Sequence, residues 1–229
     1  MSKKVAILVD GNFFIRCYKS HLKKQLGDKY KDPNLEKLAH SIHTHCLKHI
    51  NKENDEELYR IFFYDCKPLD KKVHYPHTQR ALDLSKSSTY KERKELHGHL
   101  ISKPCLALRL GYLDEKNAKW VIRDQEKEKK LFNRKISIEE FQNDDFIYHA
   151  KQKGVDIKIG LDIATLALKK LVQKIVLISG DSDFVPAAKL ARVEGIIFTL
   201  DPMGNPIRED LEEHIDYLTT RLQRFRQQQ

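Results

Sequence analysis

Apolar and polar positions fall into short blocks along this chain, and the blocks alternate in character. Val5–Val9 (VAILV) is a continuous apolar run closed by Asp10-Gly11, the pattern of a parallel strand buried on both faces. Leu58–Tyr64 (LYRIFFY), Ile175–Ile178 and Ile196–Leu200 read the same way. Between these runs, residues 13–26, 34–51, 157–172 and 184–194 carry helical periodicity,.

The middle of the chain is less regular. Residues 66–80, interrupted by Pro68 and Pro76, read as an irregular loop, and 81–102 as a lysine-rich helix,. Leu106–Leu113 and Lys119–Arg123 suggest a hairpin, with a short strand at Phe146–Ala150,. The charge run Asp124–Lys130 (DQEKEKK) predicts a solvated turn,. C-terminal helical turns complete the pattern. Strands alternating with helices imply right-handed crossovers and one parallel sheet covered on both faces, an α/β fold. With no internal repeat, low-complexity tract or linker composition, a single domain over residues 1–229 is expected.

In such a sheet the carboxyl ends of the strands share one edge, and ligands bind there. Asp10, Asp65 and the pair Asp181/Asp183 all follow apolar strands directly. Aspartates also favour turns and caps: Asp183 suits the cap of a helix beginning at Phe184, and Asp156 that of the helix near Ile157. Asp162 is harder to explain. Ile159, Ile163 and Leu166 surround it on the inward stripe of its helix,. A carboxylate placed there needs a cation, either a metal ion or a neighbouring lysine or arginine. Asp10, Asp162, Asp181 and Asp183 together would make an all-oxygen ligand set, which suits Mg²⁺ or Mn²⁺ and not zinc. Such an ion at a sheet edge can activate water against a phosphodiester.

Charge points the same way. The 229 residues hold 42 lysines and arginines against 33 aspartates and glutamates, a net charge of +9, and a basic chain favours a polyanion such as nucleic acid. Cys17, Cys46, Cys66 and Cys105 have no CxxC spacing. They exclude a zinc ribbon or a disulfide framework and fit a reducing compartment. No signal peptide or membrane span is visible, so a cytoplasmic protein with no membrane partner is expected. Among His40, His43, His45 and His49, the last two share a helix face, but no nearby carboxylate or cysteine completes a ligand set. They are expected on the helix surface. Tyr75, His77 and the basic segment Lys86–Lys94 suit either an RNA path or a solvated face,.

The segments VAILVDGN, KGVDIKIGLDIATLAL and IVLISGDSDFVPAAKLARVEG resemble, in that order, the NYN domain family, the LabA-like branch of the PIN-like nucleases. The resemblance is thinnest over residues 66–135. It implies a three-layer α/β/α sandwich around a mostly parallel sheet, and a Mg²⁺- or Mn²⁺-dependent ribonuclease acting on RNA, single strands included. Carried over by residue, it implies Asp10, Asp162, Asp181 and Asp183 as the metal-site and catalytic acids, with Asp156 and Ser179 supporting them. Phe13 stands where many relatives have an asparagine three residues after the first aspartate; Asn12, one residue earlier, departs from that spacing and is a supporting candidate only. Two other readings stand beside this one. A non-catalytic RNA- or protein-binding module could use the same fold. A haloacid-dehalogenase-like phosphatase would need an acid where Asn12 stands. Homo-oligomerisation is compatible with the sequence and not specified by it.

Overall fold

The computed structural model describes residues 2–222. In chain order its elements are β1 (Lys3–Asp10), α1 (Gly11–Leu26), α2 (Leu35–Leu47), β2 (Glu56–Cys66), β3 (Lys72–His74), β4 (Ala81–Asp83), α3 (Ser88–Ile101) and β5 (Leu106–Leu113). There follow β6 (Lys119–Ile122), α4 (Gln125–Phe132), β7 (Phe146–His149), β8 (Gln152–Lys153), α5 (Val155–Leu168), β9 (Lys174–Ile178), α6 (Val185–Val193), β10 (Ile197–Asp201), α7 (Glu209–Glu212) and β11 (Tyr217–Leu218). Seven strands form the principal sheet in the order β11-β10-β9-β1-β2-β5-β8. β1 lies parallel to both β2 and β9, β10 is parallel to β9 and β11, and β8 is antiparallel to β5. This is the mostly parallel α/β sheet expected from the apolar runs.

Two compact units divide the chain. The first comprises residues up to Asp65, Glu95–Gly111 and Gly154 onward; the second comprises Cys66–Lys94 and Tyr112–Lys153. In the first unit, side chains alternate across the central strands. Val5, Ile7, Val9, Ile61, Phe63, Val176 and Ile178 pack with Phe14 of α1, Leu38 and Ile42 of α2, and Leu96 and Leu100 of α3. Ala6, Leu8, Phe62 and Tyr64 are therefore on the opposite face, where the Tyr64 hydroxyl donates to Asp162 of α5. Helices thus cover both faces. The expected strand Leu58–Tyr64 is longer at both ends, and the expected helix 157–172 begins at Val155 and ends at Leu168.

The second unit departs most from expectation. The supposed loop 66–80 contains β3, which pairs antiparallel with β4. The expected helix over 81–102 begins only at Ser88, because Asp83 caps a short 3₁₀ turn by accepting from the Ser85 amide at 3.1 Å. The two halves of the expected hairpin do not pair with each other. β5 joins the principal sheet, while β6 pairs antiparallel with β7, setting Trp120 opposite Tyr148. Cross-strand aromatic packing explains that choice: Trp120 lies between Tyr75 and Tyr148, with ring centroids 4.9 and 5.3 Å away,. The charge run is α4, capped by Asp124, which accepts from the Glu126 amide at 2.8 Å.

His45 and His49 are also not surface groups. Both are buried, and their Nε2 atoms lie 2.8 and 2.9 Å from Oδ2 of Asp201, which is fully buried. The carboxylate missing from the local sequence arrives from β10. Among the described residues, no helix is long and apolar enough to cross a membrane.

Candidate metal and nuclease site

The edge where β1 and β9 end is set by their parallel pairing. Val9 is opposite Ile178, so Asp10 and the segment Ser179-Gly180-Asp181 leave the sheet side by side. Two glycines allow close approach here. A Cβ on Gly11 would lie 2.5 Å from the Tyr64 carbonyl oxygen, and one on Gly180 would lie 2.7 Å from the Phe13 ring. The Phe13 ring therefore closes the gap between the start of α1 and the turn after β9.

Asp10 shares the face of Ala6 and Leu8, which turns it toward α5,. Its Oδ1 accepts from the Phe13 amide at 3.1 Å, capping α1. The Asn12 side chain beside it is exposed. Burial raises the Asp10 pKa above 3.8, and the negative charge of Asp156 adds to the shift. Asp156 does not cap α5. Gly154 occupies the cap, and Asp156 lies exposed in the first turn, where a helix dipole favours negative charge. Its own pKa is raised by partial burial and then by the charges of Asp181 and Asp183. Asp181, not Asp183, provides the local cap: its Oδ1 accepts from the Asp183 amide at 3.0 Å and sets a 3₁₀ turn ahead of α6. The fully buried Ser179 accepts from the Asp181 amide at 3.3 Å.

Asp162 has found a protein cation. Its Oδ2 accepts from the Tyr64 hydroxyl at 2.7 Å and is 3.2 Å from Nε of Arg109. Burial and Asp162 push the Tyr64 pKa far up, keeping the hydroxyl a donor. Arg109 also lies over the Phe62 ring, with its guanidinium carbon 5.3 Å from the centroid. Both contacts fall on Oδ2, so Oδ1 of Asp162 has no protein partner among the described residues. Tyr64 and Arg109 were not singled out in the sequence. Arg109 did leave a signal, as a lone cation in the run LALRLGYL. Asp65, though it too follows an apolar strand, alternates to the other face and lies buried 2.8 Å from Nε2 of His97.

The NYN domain family profile matches residues 75–217. The chain belongs to the NYN domain family. The matched span includes Asp156, Asp162, Ser179, Asp181 and Asp183, and begins after Asp10 and Asn12. It also takes in residues 75–135, where the sequence resemblance is thinnest. NYN domains belong to the PIN-like nuclease superfamily. No curated protein matches the chain in sequence. Among solved structures, a protein of unknown function from Vibrio parahaemolyticus is similar at a TM-score of 0.44, with 13% identity over 96% of this chain and 93% of that one.

The candidate site's donor set is all oxygen, a set of the kind Mg²⁺ or Mn²⁺ prefers. Among the described residues Asp10, Asp156, Asp181 and Asp183 make no ion pair; burial is the main cause of the raised Asp10 and Asp156 pKa values, with repulsion from Asp156 on the first and from Asp181 and Asp183 on the second adding to it. The carboxylates are nevertheless spread. Among the described residues, no three of them bring ligand oxygens within 4.8 Å of one another. That spacing suits an ion bound through one or two carboxylates with water completing the shell, not a closed cage.

Proposed function

We propose that this NYN domain hydrolyses phosphodiester bonds of RNA, with Mg²⁺ or Mn²⁺ bound through one or two carboxylates of the set Asp10, Asp162, Asp181 and Asp183, water completing its shell, and Asp156 adding negative charge. The observation that supports it is that Asp10, Asp156, Asp181 and Asp183 make no ion pair among the described residues, while burial first and neighbouring carboxylate charge after it raise the Asp10 and Asp156 pKa values, a repulsion that a divalent cation would relieve,. When bound, the ion supplies Lewis-acid charge neutralisation at the scissile phosphate and lowers the pKa of water.

The chain's own residues do the rest. The Asp10 cap and the Asp181 turn fix two carboxylates on rigid backbone. Asp162 and the Phe62 ring hold Arg109 by its Nε and its face. Its remaining donors, without a protein acceptor among the described residues, are available to a phosphate oxygen. The net charge of +9 draws the polyanion to the protein,. A second reading, an RNA-binding module without catalysis, is favoured by the spread of the carboxylates and the pairing of Asp162 with Arg109.

Incubation of the full chain with labelled single-stranded RNA and Mn²⁺ decides between them. Cleavage by wild type that is lost in Asp181→Asn is expected. Binding without cleavage by either protein selects the binding module, and equal cleavage by both removes Asp181 from the site.

A further inference from the structure

On the other face of the principal sheet lies a second cluster of ligand-type side chains. His45 lies in the last turn of α2 and His49 in the turn just beyond it, and the spacing of four puts both imidazoles on one side,. Asp201 closes β10 opposite Ile178, whose side chain belongs to the core beneath α1 and α2. The three ligand atoms, both Nε2 and a carboxylate oxygen, lie within 4.8 Å of one another, and all three residues are buried. Asp201 Oδ1 accepts from the Met203 amide at 2.7 Å, which turns Oδ2 toward the histidines. Such a contact orients a ligating carboxylate in metal sites.

We propose that His45, His49 and Asp201 form a binding site for one Zn²⁺ ion. Two imidazole nitrogens and a carboxylate oxygen suit zinc or a similar late first-row ion, and suit Mg²⁺ poorly. Tetrahedral ligands about 2.0–2.1 Å from zinc stand roughly 3.3 Å apart. The present N···O separations of 2.8 and 2.9 Å thus open by about half an ångström to admit the ion. Each imidazole then carries its proton on Nδ1. Of the three ligands, His45 also lines a cavity of about 230 Å³, together with His21, His40, Ser41, Thr44 and Lys48. The bound ion joins the end of α2 to the end of β10. The inference is independent of the nuclease reading, because its ligands differ in type and lie on the opposite face.

The test uses full-length protein stripped with chelator, then dialysed against Zn²⁺, with metal content read by elemental analysis. One Zn²⁺ per chain is expected in wild type and in Asp181→Asn. His49→Gln keeps an N–H for Asp201 but no ligand nitrogen, and should weaken binding beyond the roughly 10- to 100-fold that changing a ligand's hydrogen-bond partner costs. Zn²⁺ that Asp181→Asn abolishes belongs to the acidic edge. No Zn²⁺ in wild type, or undiminished Zn²⁺ in folded His49→Gln, overturns the proposal and leaves a closed hydrogen-bond network. Should His49→Gln not fold, Co²⁺ bound to wild type must broaden the ring-proton resonances of His45 and His49, and unaffected rings overturn it equally.

Discussion

The Tyr64 hydroxyl, at the end of β2, donates to Asp162 Oδ2 across 2.7 Å, joining the central sheet to α5. This bond fixes the carboxylate that also holds Arg109. Tyr64 is fully buried, and removing its oxygen leaves Asp162 short of one donor. Tyr64→Phe should therefore lose about 1.5–3 kcal/mol of stability, the range for hydrogen bonds to charged groups. Urea denaturation measures it, and an unchanged midpoint would show that Asp162 finds water instead.

Arg109 offers a sharper functional test. Its side chain is 46% exposed, so Arg109→Gln should leave the fold nearly as stable. The proposed contact to phosphate predicts a fall of roughly 100-fold in RNA cleavage, similar to loss of one preorganised donor. Arg109→Lys should not restore the rate, since an ammonium cannot bond Asp162 and phosphate with the same planar fork. Steady-state cleavage rates on a short RNA distinguish these outcomes.

Gly180 and Phe13 form a packing pair at the site's entrance. A Cβ at position 180 would come within 2.7 Å of the Phe13 ring, so Gly180→Ala should cost about 1–3 kcal/mol by overpacking. Phe13→Ala makes room, and the double variant should be less destabilised than the sum of the two single changes. Strict additivity in thermal denaturation would mean that the turn moves away instead.

Asp10 predicts an inverted pH response. Its folded pKa lies above the ordinary 3.8, so the folded chain binds this proton more tightly than the unfolded one. The associated stability is present below pH 3.8 and is lost as pH rises through the raised pKa. Without divalent ion, Asp10→Asn should therefore be more stable than wild type at pH 7, by about 0.5–2 kcal/mol. Asparagine keeps the α1 cap. The advantage should shrink in acid, and Mn²⁺ should stabilise wild type more than the variant. Melting curves with chelator and with Mn²⁺ provide the comparison.

The apolar runs at β1, β2, β9 and β10 were legible because a strand buried on both faces must be apolar throughout, whatever its neighbours. The aspartates after β1 and β9 were legible for a related reason: parallel strands necessarily end on one edge. Asp162 was recognised as a carboxylate needing a cation, but its neighbours in sequence do not include Arg109, 53 positions earlier. The choice between a metal and an arginine depended on which strand lay beside α5.

The caps expected at Asp156 and Asp183 do not form, since a shift of two residues at α5 and one at α6 reassigns the cap. The hairpin over 106–123 failed because strand pairing follows the partners available, and Trp120 had Tyr148. His45 and His49 make the division plainest. Their spacing on one helix face was set by the sequence alone. Their burial and their shared carboxylate were decided by the tertiary structure, because Asp201 lies more than 150 residues away along the chain and reaches them only when β10 takes its place beside β9.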